Sequence, residues 1–240
     1  MKNFFKGFAL AVSMMTSIPF FKIHNFNKGI NAYAVMSYPL VGLLLGYILL
    51  GVYSLLHLHV ADLHLGIIIF ALWVALTGAL HLDGFSDTID GLFVSKDRAI
   101  EVMKDPNTGG MGMIFSVTFL ILKASSLAVF DAFYLLPIVL MLSRFNAVLA
   151  IYFFPYISQN GMGTLAKAEL KGFQVLIALA YVTLICISSL WLLALSFLVL
   201  FLIKTFFIKR YGGFTGDIYG FTIEVSELIL LNAILISSFE

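Results

Sequence analysis

Three aspartates, Asp83, Asp87 and Asp90, stand at i, i+4 and i+7 in the stretch Gly-Ala-Leu-His-Leu-Asp-Gly-Phe-Ser-Asp-Thr-Ile-Asp-Gly. On a helix they fall within a wedge of roughly 60° and climb about 10 Å along one face. Carboxylates stacked in this way repel one another unless a cation lies among them. Hard divalent ions take carboxylate oxygens, and Mg²⁺ uses one or two carboxylates together with substrate phosphate oxygens. The expected chemistry is cation-assisted work on a phosphate, with Asp83, Asp87 and Asp90 as Mg²⁺ ligands. Gly84 and Gly91 each follow an aspartate and leave room for a substrate to approach the backbone. The spacing is not that of an EF-hand, whose loop sets carboxylates at alternate positions before its glycine. The plainer alternative is a solvated acidic helix end, but solubility alone does not require three aspartates on one stripe beside an apolar run.

Basic and glycine residues follow downstream. Lys96, Arg98 and Lys104 lie in a charged amphipathic stretch, and Asp105-Pro106-Asn107-Thr108-Gly109-Gly110-Met111-Gly112 reads as a Gly-rich turn. Arg98 and Lys104 are suited to phosphate oxygens, and the backbone N–H groups of Gly109–Gly112 to a nest for an anion. A second acidic group closes the chain: Asp217, Glu224 and Glu227, with Asp217 and Glu224 seven apart on one helical face. Ionisable groups inside a membrane are costly and mark a site or pathway by default. Lys123 and Arg144 are their natural partners, in which case the set is an ion-pair network holding helices together. His81 points off the aspartate face, as a supporting group or a base. His57, His59 and His64 lie on the other side of the spans.

These side chains must be positioned by membrane helices. Hydrophobic residues make up 61% of the chain and charged residues 11%, with a mean hydropathy of +1.04, far from the roughly 25% charged residues of soluble domains. A net charge of +1 excludes bulk attraction to nucleic acid. The single cysteine, Cys186, sits in an apolar run and makes neither an intrachain disulfide nor a zinc site by itself. Apolar stretches near the ~20 residues of one crossing predict spans at Ile30–Leu56, Leu65–Leu80, Met111–Phe130, Phe133–Phe154, Phe173–Ser188, Leu190–Ile208 and Ile218–Ser237. The fifth and sixth are split from one long run at Ser188-Ser189. The fold class is all-α, a transmembrane bundle of about seven spans in one catalytic domain covering residues 1–240.

Lys and Arg test this drawing, because short cytoplasmic loops collect them. Lys2, Lys6, Lys22 and Lys28 precede the first span. Lys96, Arg98 and Lys104 lie between the second and third, Lys167 and Lys171 between the fourth and fifth, and Lys204, Lys209 and Arg210 around the sixth-to-seventh turn. The opposite connections carry none. The alternation puts the N-terminus inside, the C-terminus outside and the aspartates on the cytoplasmic side. The opening segment Phe4–Phe21 is expected to be an interfacial or re-entrant helix ending at Pro19, or else an additional span. No small-x-small cleavage site follows it. The chain shows no internal repeat.

The segment His81–Gly91 closely resembles the signature of the adenosylcobinamide-GDP ribazoletransferase (cobalamin synthase) family. Asp97–Asp105 running into Gly110-Met111-Gly112, Ser143-Arg144, and Gly212–Gly220 with Glu224 and Glu227 are similar to that family's later blocks, as is Thr16-Ser17-Ile18-Pro19 near the start. Phe85-Ser86 replaces residues more usually small and apolar. The resemblance implies a Mg²⁺-dependent enzyme of late vitamin B12 assembly in the bacterial inner membrane. Its substrates would be adenosylcobinamide-GDP and α-ribazole or its 5′-phosphate, and its by-product GMP. It also implies that Asp83, Asp87 and Asp90 hold Mg²⁺, that Arg98, Lys104, Gly110 and Arg144 contact phosphate, and that Asp217 or Glu224 takes the hydroxyl proton or holds a second metal. Its surroundings would be the lipid bilayer, and its protein partners a second copy of the chain or other enzymes of cobalamin assembly.

Two rivals differ in checkable ways. A CDP-alcohol phosphotransferase of lipid synthesis would need Ala-Arg after Asp83-Gly84 and two later aspartates with three residues between them, and the chain has neither. A cation-coupled transporter would use Glu224, Glu227, Lys123 and Arg144 as a relay, yet the densest acidic group lies at one membrane face and no inverted repeat is evident.

Overall fold

In lipid a helix satisfies its own backbone N–H and C=O groups, which is why the apolar runs of this chain become helices. A computed structural model describes residues 2–18, 29–158 and 162–237. In chain order the helices are α1 (Lys2–Met15), α2 (Ile30–Leu56), α3 (Asp62–Thr77), α4 (Leu80–Leu92), α5 (Lys96–Val102), α6 (Gly110–Ala128), α7 (Leu136–Phe153), α8 (Met162–Glu169), α9 (Gly172–Ile185), α10 (Leu190–Tyr211) and α11 (Gly216–Ser237). A 3₁₀ turn, Phe133–Leu135, leads into α7. Among the described residues there is no strand, and one isolated bridge joins Tyr156 to Phe214.

The architecture is an all-α, multi-pass membrane bundle. Five helices (α2, α6, α7 with its 3₁₀ turn, α10 and α11) are long and apolar enough to cross, and two sharply bent pairs, α3–α4 and α8–α9, bring the number up to seven. The expected spans coincide with α2, α3, α6, α7, α9, α10 and α11. However, α3 has 16 residues and α9 has 14, so neither crosses fully by itself. The break at Ser189 stands as expected, with α10 starting at Leu190.

Two boundaries differ from expectation, each for a local reason, and between the second and third spans the chain forms the two helices α4 and α5. α3 stops at Thr77 because Gly78 and Ala79 both turn left-handed (φ 60° and 55°), and Ala79 N–H returns to Val74 O in a Schellman-type cap. This turn swings α4 off the α3 axis by 85°. α1 ends at Met15 rather than Pro19. Ser17 beyond it donates its N–H to Leu76 O and its hydroxyl to Ala75 O, satisfying carbonyls that the end of α3 leaves open. Pro19 and the remainder of that opening segment, with Lys22 and Lys28, lie outside the described residues.

α7 is the post around which the rest packs. It is buried along most of its length, from Leu136 to Ile151. Helix α2 lies against it through Gly42 and Gly46, where a Cβ would come within 2.2 Å of Leu140 O and 2.3 Å of Pro137 Cα. Small residues four apart let two helix backbones touch, which is how apolar helices gain contact in lipid. Asn146 of α7 donates to Ser196 O of α10 and to the Ser226 hydroxyl of α11, and accepts from the Ser196 hydroxyl. Lys167 of α8 donates to the carbonyls of Ile151, Tyr152 and Phe154, closing the end of α7.

The α2–α7 contact predicts a graded response to bulk. Gly46→Val should lower stability by ~1–3 kcal/mol through overpacking, read as a fall in the thermal midpoint in detergent. Gly51→Val, on the same helix with nothing within 4 Å of its Cβ position, should lack that overpacking penalty. Equal losses from both would contradict the packing described.

Candidate active site

The aspartate helix α4 owes its place to glycine. A Cβ on Gly84 would lie 2.9 Å from Asp217 O, and one on Gly220 3.0 Å from His81 O, so α4 and the first turns of α11 meet backbone to backbone. Thr215 accepts the Ile218 N–H as an N-terminal cap of α11 and donates its hydroxyl to the Asp217 carboxylate at 3.2 Å. The far end of α4 is held by α10: Tyr211 donates to Gly91 O, and Arg210 to Leu92 O and Val94 O. Gly91 admits Met103, packed beneath α5. The aspartates thus stand level with the start of α6 and α11 and the end of α10.

Asp83 is exposed, and Asp87 and Asp217 are half-buried. The electrostatics joins them. The Asp87 carboxyl is pushed up to about 7, first by burial and then by the charges of Asp83, Asp217 and Asp90. Lys104 is exposed on the segment after α5. The part of the Asp87 rise owed to neighbouring carboxylates marks negative charge that a cation would relieve. Among the described residues, no group of three or more His, Cys, Asp or Glu side chains is drawn close enough to hold a metal ion unaided. Any ion placed here would have to draw most of its ligands from outside the chain.

Asp90 has a different occupation. It is buried, and its two carboxylate oxygens accept the N–H groups of Gly109 and Gly112, each at 2.7 Å. The nest expected for a substrate phosphate is thus filled by the protein's own carboxylate. A Cβ on Gly109 or Gly112 would lie 2.4 or 2.3 Å from that group, which is why glycine stands at both positions. Gly110, between them, is exposed with open space around it. Arg98 is also exposed, on α5.

Two expectations are corrected deeper in the bundle. Lys123 of α6 donates to Glu224 at 2.8 Å and to Glu227 at 2.5 Å, and Arg144 of α7 donates to the other oxygen of Glu227. Lys123 also lies 4.2 Å over the Trp73 ring. Arg144 and Glu227 are fully buried. The buried Arg144 guanidinium donates within the bundle, to Ser143 of its own helix and to Glu227 of α11. Glu224 is likewise committed to Lys123 and does not join the aspartates. These four charges form the structural network.

His81 lies in the core with its Nε2 3.3 Å from the Met15 sulfur, and it lines a cavity of about 200 Å³ whose rim holds Asp83 and Asp217. Tyr219 shares that wall and stacks on Tyr156, with centroids 5.9 Å apart. Neither tyrosine stands out in the sequence. Their signal was the polar block Thr215–Gly220, in which Tyr219 sits two residues from Asp217.

A family model described as Cobalamin-5-phosphate synthase matches residues 7–235 of the chain. A relative from Desulforamulus reducens named adenosylcobinamide-GDP ribazoletransferase is 36% identical over 97% of this chain and 97% of its own. Proteins of the same name from Acinetobacter baumannii (35% identical, 87% of this chain and 88% of the relative) and Thermosynechococcus vestitus (38%, 83% and 85%) are similar to it as well. No solved structure matches.

Two measurements probe the two charge clusters. Because Asp87 in the fold binds its proton more tightly than in the unfolded chain, its contribution is complete below pH ~4 and is lost as pH rises towards about 7. Metal-free Asp87→Asn should match the native thermal midpoint near pH 4 and exceed it near pH 8, whereas equal midpoints at both would show that the charges do not interact. Glu227→Gln should destabilise by roughly 3 kcal/mol or more at neutral pH, since it strips charge from two buried cations. A midpoint unchanged in detergent would argue against the network.

Proposed function

The chain belongs to the cobalamin-5-phosphate synthase family, and from that premise we propose that it joins adenosylcobinamide-GDP to α-ribazole, or to α-ribazole 5′-phosphate, with release of GMP. The observation that carries this is the meeting of Asp217, from the end of the chain, with Asp83 and Asp87 of α4 at one end of a membrane bundle, beside a cavity. We assign the reaction to that end and to the cytoplasmic face of a bacterial inner membrane. Lys96, Arg98, Lys104, Lys209 and Arg210 collect there, while residues 57–61 and 186–189 carry no Lys or Arg.

Asp83 and Asp87 are the side chains we assign to Mg²⁺, with Asp90 reserved for the Gly109–Gly112 turn. The ion, when bound, supplies neutralisation of charge on the departing nucleotide. Arg98 and Lys104, exposed on and just after α5, are the groups we assign to phosphate oxygens of the donor. Asp217, oriented by the Thr215 hydroxyl, receives the proton of the attacking ribazole hydroxyl. A bundle end suits this reaction physically, since the amphipathic corrinoid can rest its apolar rim among the helices while its nucleotide stays in water.

Purified protein given adenosylcobinamide-GDP, α-ribazole and Mg²⁺ should release GMP, and chelation should stop it. Asp83→Asn and Asp217→Asn should each lower kcat by about 100-fold, equivalent to ~3 kcal/mol of barrier. Asp83 is exposed, so its loss should spare the fold. GMP release at the native rate from Asp83→Asn, with unchanged Mg²⁺ dependence, would remove the basis for the assignment.

A further inference from the structure

The cavity beside the aspartates has features that the transfer chemistry alone does not require. It is about 200 Å³, enclosed by α1, α2, α4, α7, α8 and α11. Met14, Met15, Ala147 and Ile223 give it an apolar wall, and Asp83 and Asp217 stand on it at the site already described. Two other lining residues, His81 and Tyr219, are nine-tenths buried or more. Each keeps a polar atom, His81 Nδ1 and Tyr219 Oη, without a hydrogen-bond partner in the protein. Buried polar groups are seldom left so, and both belong to this one wall.

Size narrows the occupant. An apolar cavity of roughly 150 Å³ accommodates benzene, so this one takes a fused pair of aromatic rings and excludes a corrin macrocycle or a guanosine with its diphosphate. Polarity narrows it further. A strongly polar purine edge would find mostly methionine, alanine and isoleucine here, whereas a weakly polar bicyclic azole needs a hydrogen bond at one ring nitrogen. The Tyr219 hydroxyl can donate it, and His81 Nδ1 can donate or accept according to tautomer.

We propose that this cavity seats the base of the alcohol acceptor, a flat and weakly polar bicyclic azole carried on a ribose, and so presents the ribose hydroxyls to Asp83 and Asp217. The assignment rests on the transferase function proposed above and adds to it which substrate enters the bundle. The acceptor's base is held inside, and the nucleotide-activated donor approaches from the open side, where Arg98 and Lys104 are exposed. Selectivity for the acceptor would then reside in the walls of α7 and α11 and not in the aspartates.

The test is direct binding of α-ribazole to the full chain in lipid nanodiscs by equilibrium dialysis, without donor, alongside the KM of each substrate. Ala147→Leu projects into the cavity and should weaken α-ribazole binding by about ten-fold or more. Tyr219→Phe keeps the ring and removes one hydrogen bond, so binding should weaken roughly three- to ten-fold. The KM for adenosylcobinamide-GDP should stay within two-fold in both. If Ala147→Leu does not fold, Tyr219→Phe decides alone. Native α-ribazole affinity in the folded variants, or a loss that falls equally on the donor, overturns the proposal. Absence of GMP release by the native protein, with α-ribazole binding still sensitive to Ala147→Leu, would instead count against the transferase function and leave the cavity assignment standing.

Discussion

Glu227 is a carboxylate with no access to solvent, held between Lys123 of α6 and Arg144 of α7. In a lipid environment an ion with no partner is costly enough that such a group fixes its surroundings. Three helices must therefore keep their depth and rotation for both cations to reach it. The rotation matters most for α11. Asp217 lies ten residues before Glu227 on the same helix, about 80° away around the axis, so locking Glu227 inside decides where Asp217 faces at the mouth. Glu224, paired with the same lysine, adds a second point on that face. The deep network thereby aims the catalytic end from some 15 Å away.

Close backbone contact carries that placement across to α4. Gly84 and Gly220 let α4 and α11 approach until carbonyl oxygens stand where side chains would otherwise be. Asp90 then ties α4 to the start of α6 through two backbone N–H groups, at a helix N-terminus that favours negative charge. Asp90 is thus taken up by backbone N–H groups, and Asp217, 134 residues after Asp83 in the chain, stands near Asp83 and Asp87. This arrangement explains why the spacing at i, i+4 and i+7 was informative yet incomplete: it describes one helix, and the site is built by two.

The spans were legible because hydropathy over about twenty residues does not depend on how helices pack; only the shortness of α3 and α9 escaped it. The sharp turn between α3 and α4 was not legible, since Ala79 has no composition cue for a left-handed backbone. The role of Asp90 was hidden because its partners come 19 and 22 residues later in a turn that looked free to bind phosphate. Arg144 could have been read better. It sits near the middle of the expected span Phe133–Phe154, about 15 Å from either end, which is incompatible with a phosphate in water and natural for a partner of Glu227.

A division of charge follows from these placements. Within the bundle, Lys123 and Arg144 pair with Glu224 and Glu227, two cations to two carboxylates. At the mouth the balance fails: Asp87 is pushed up to about 7, first by its burial and then by the charges of Asp83, Asp217 and Asp90. A chain that neutralises its buried charges so closely but leaves carboxylates crowded at one rim keeps a deficit of positive charge there. That deficit is what a divalent ion arriving with a diphosphate would fill.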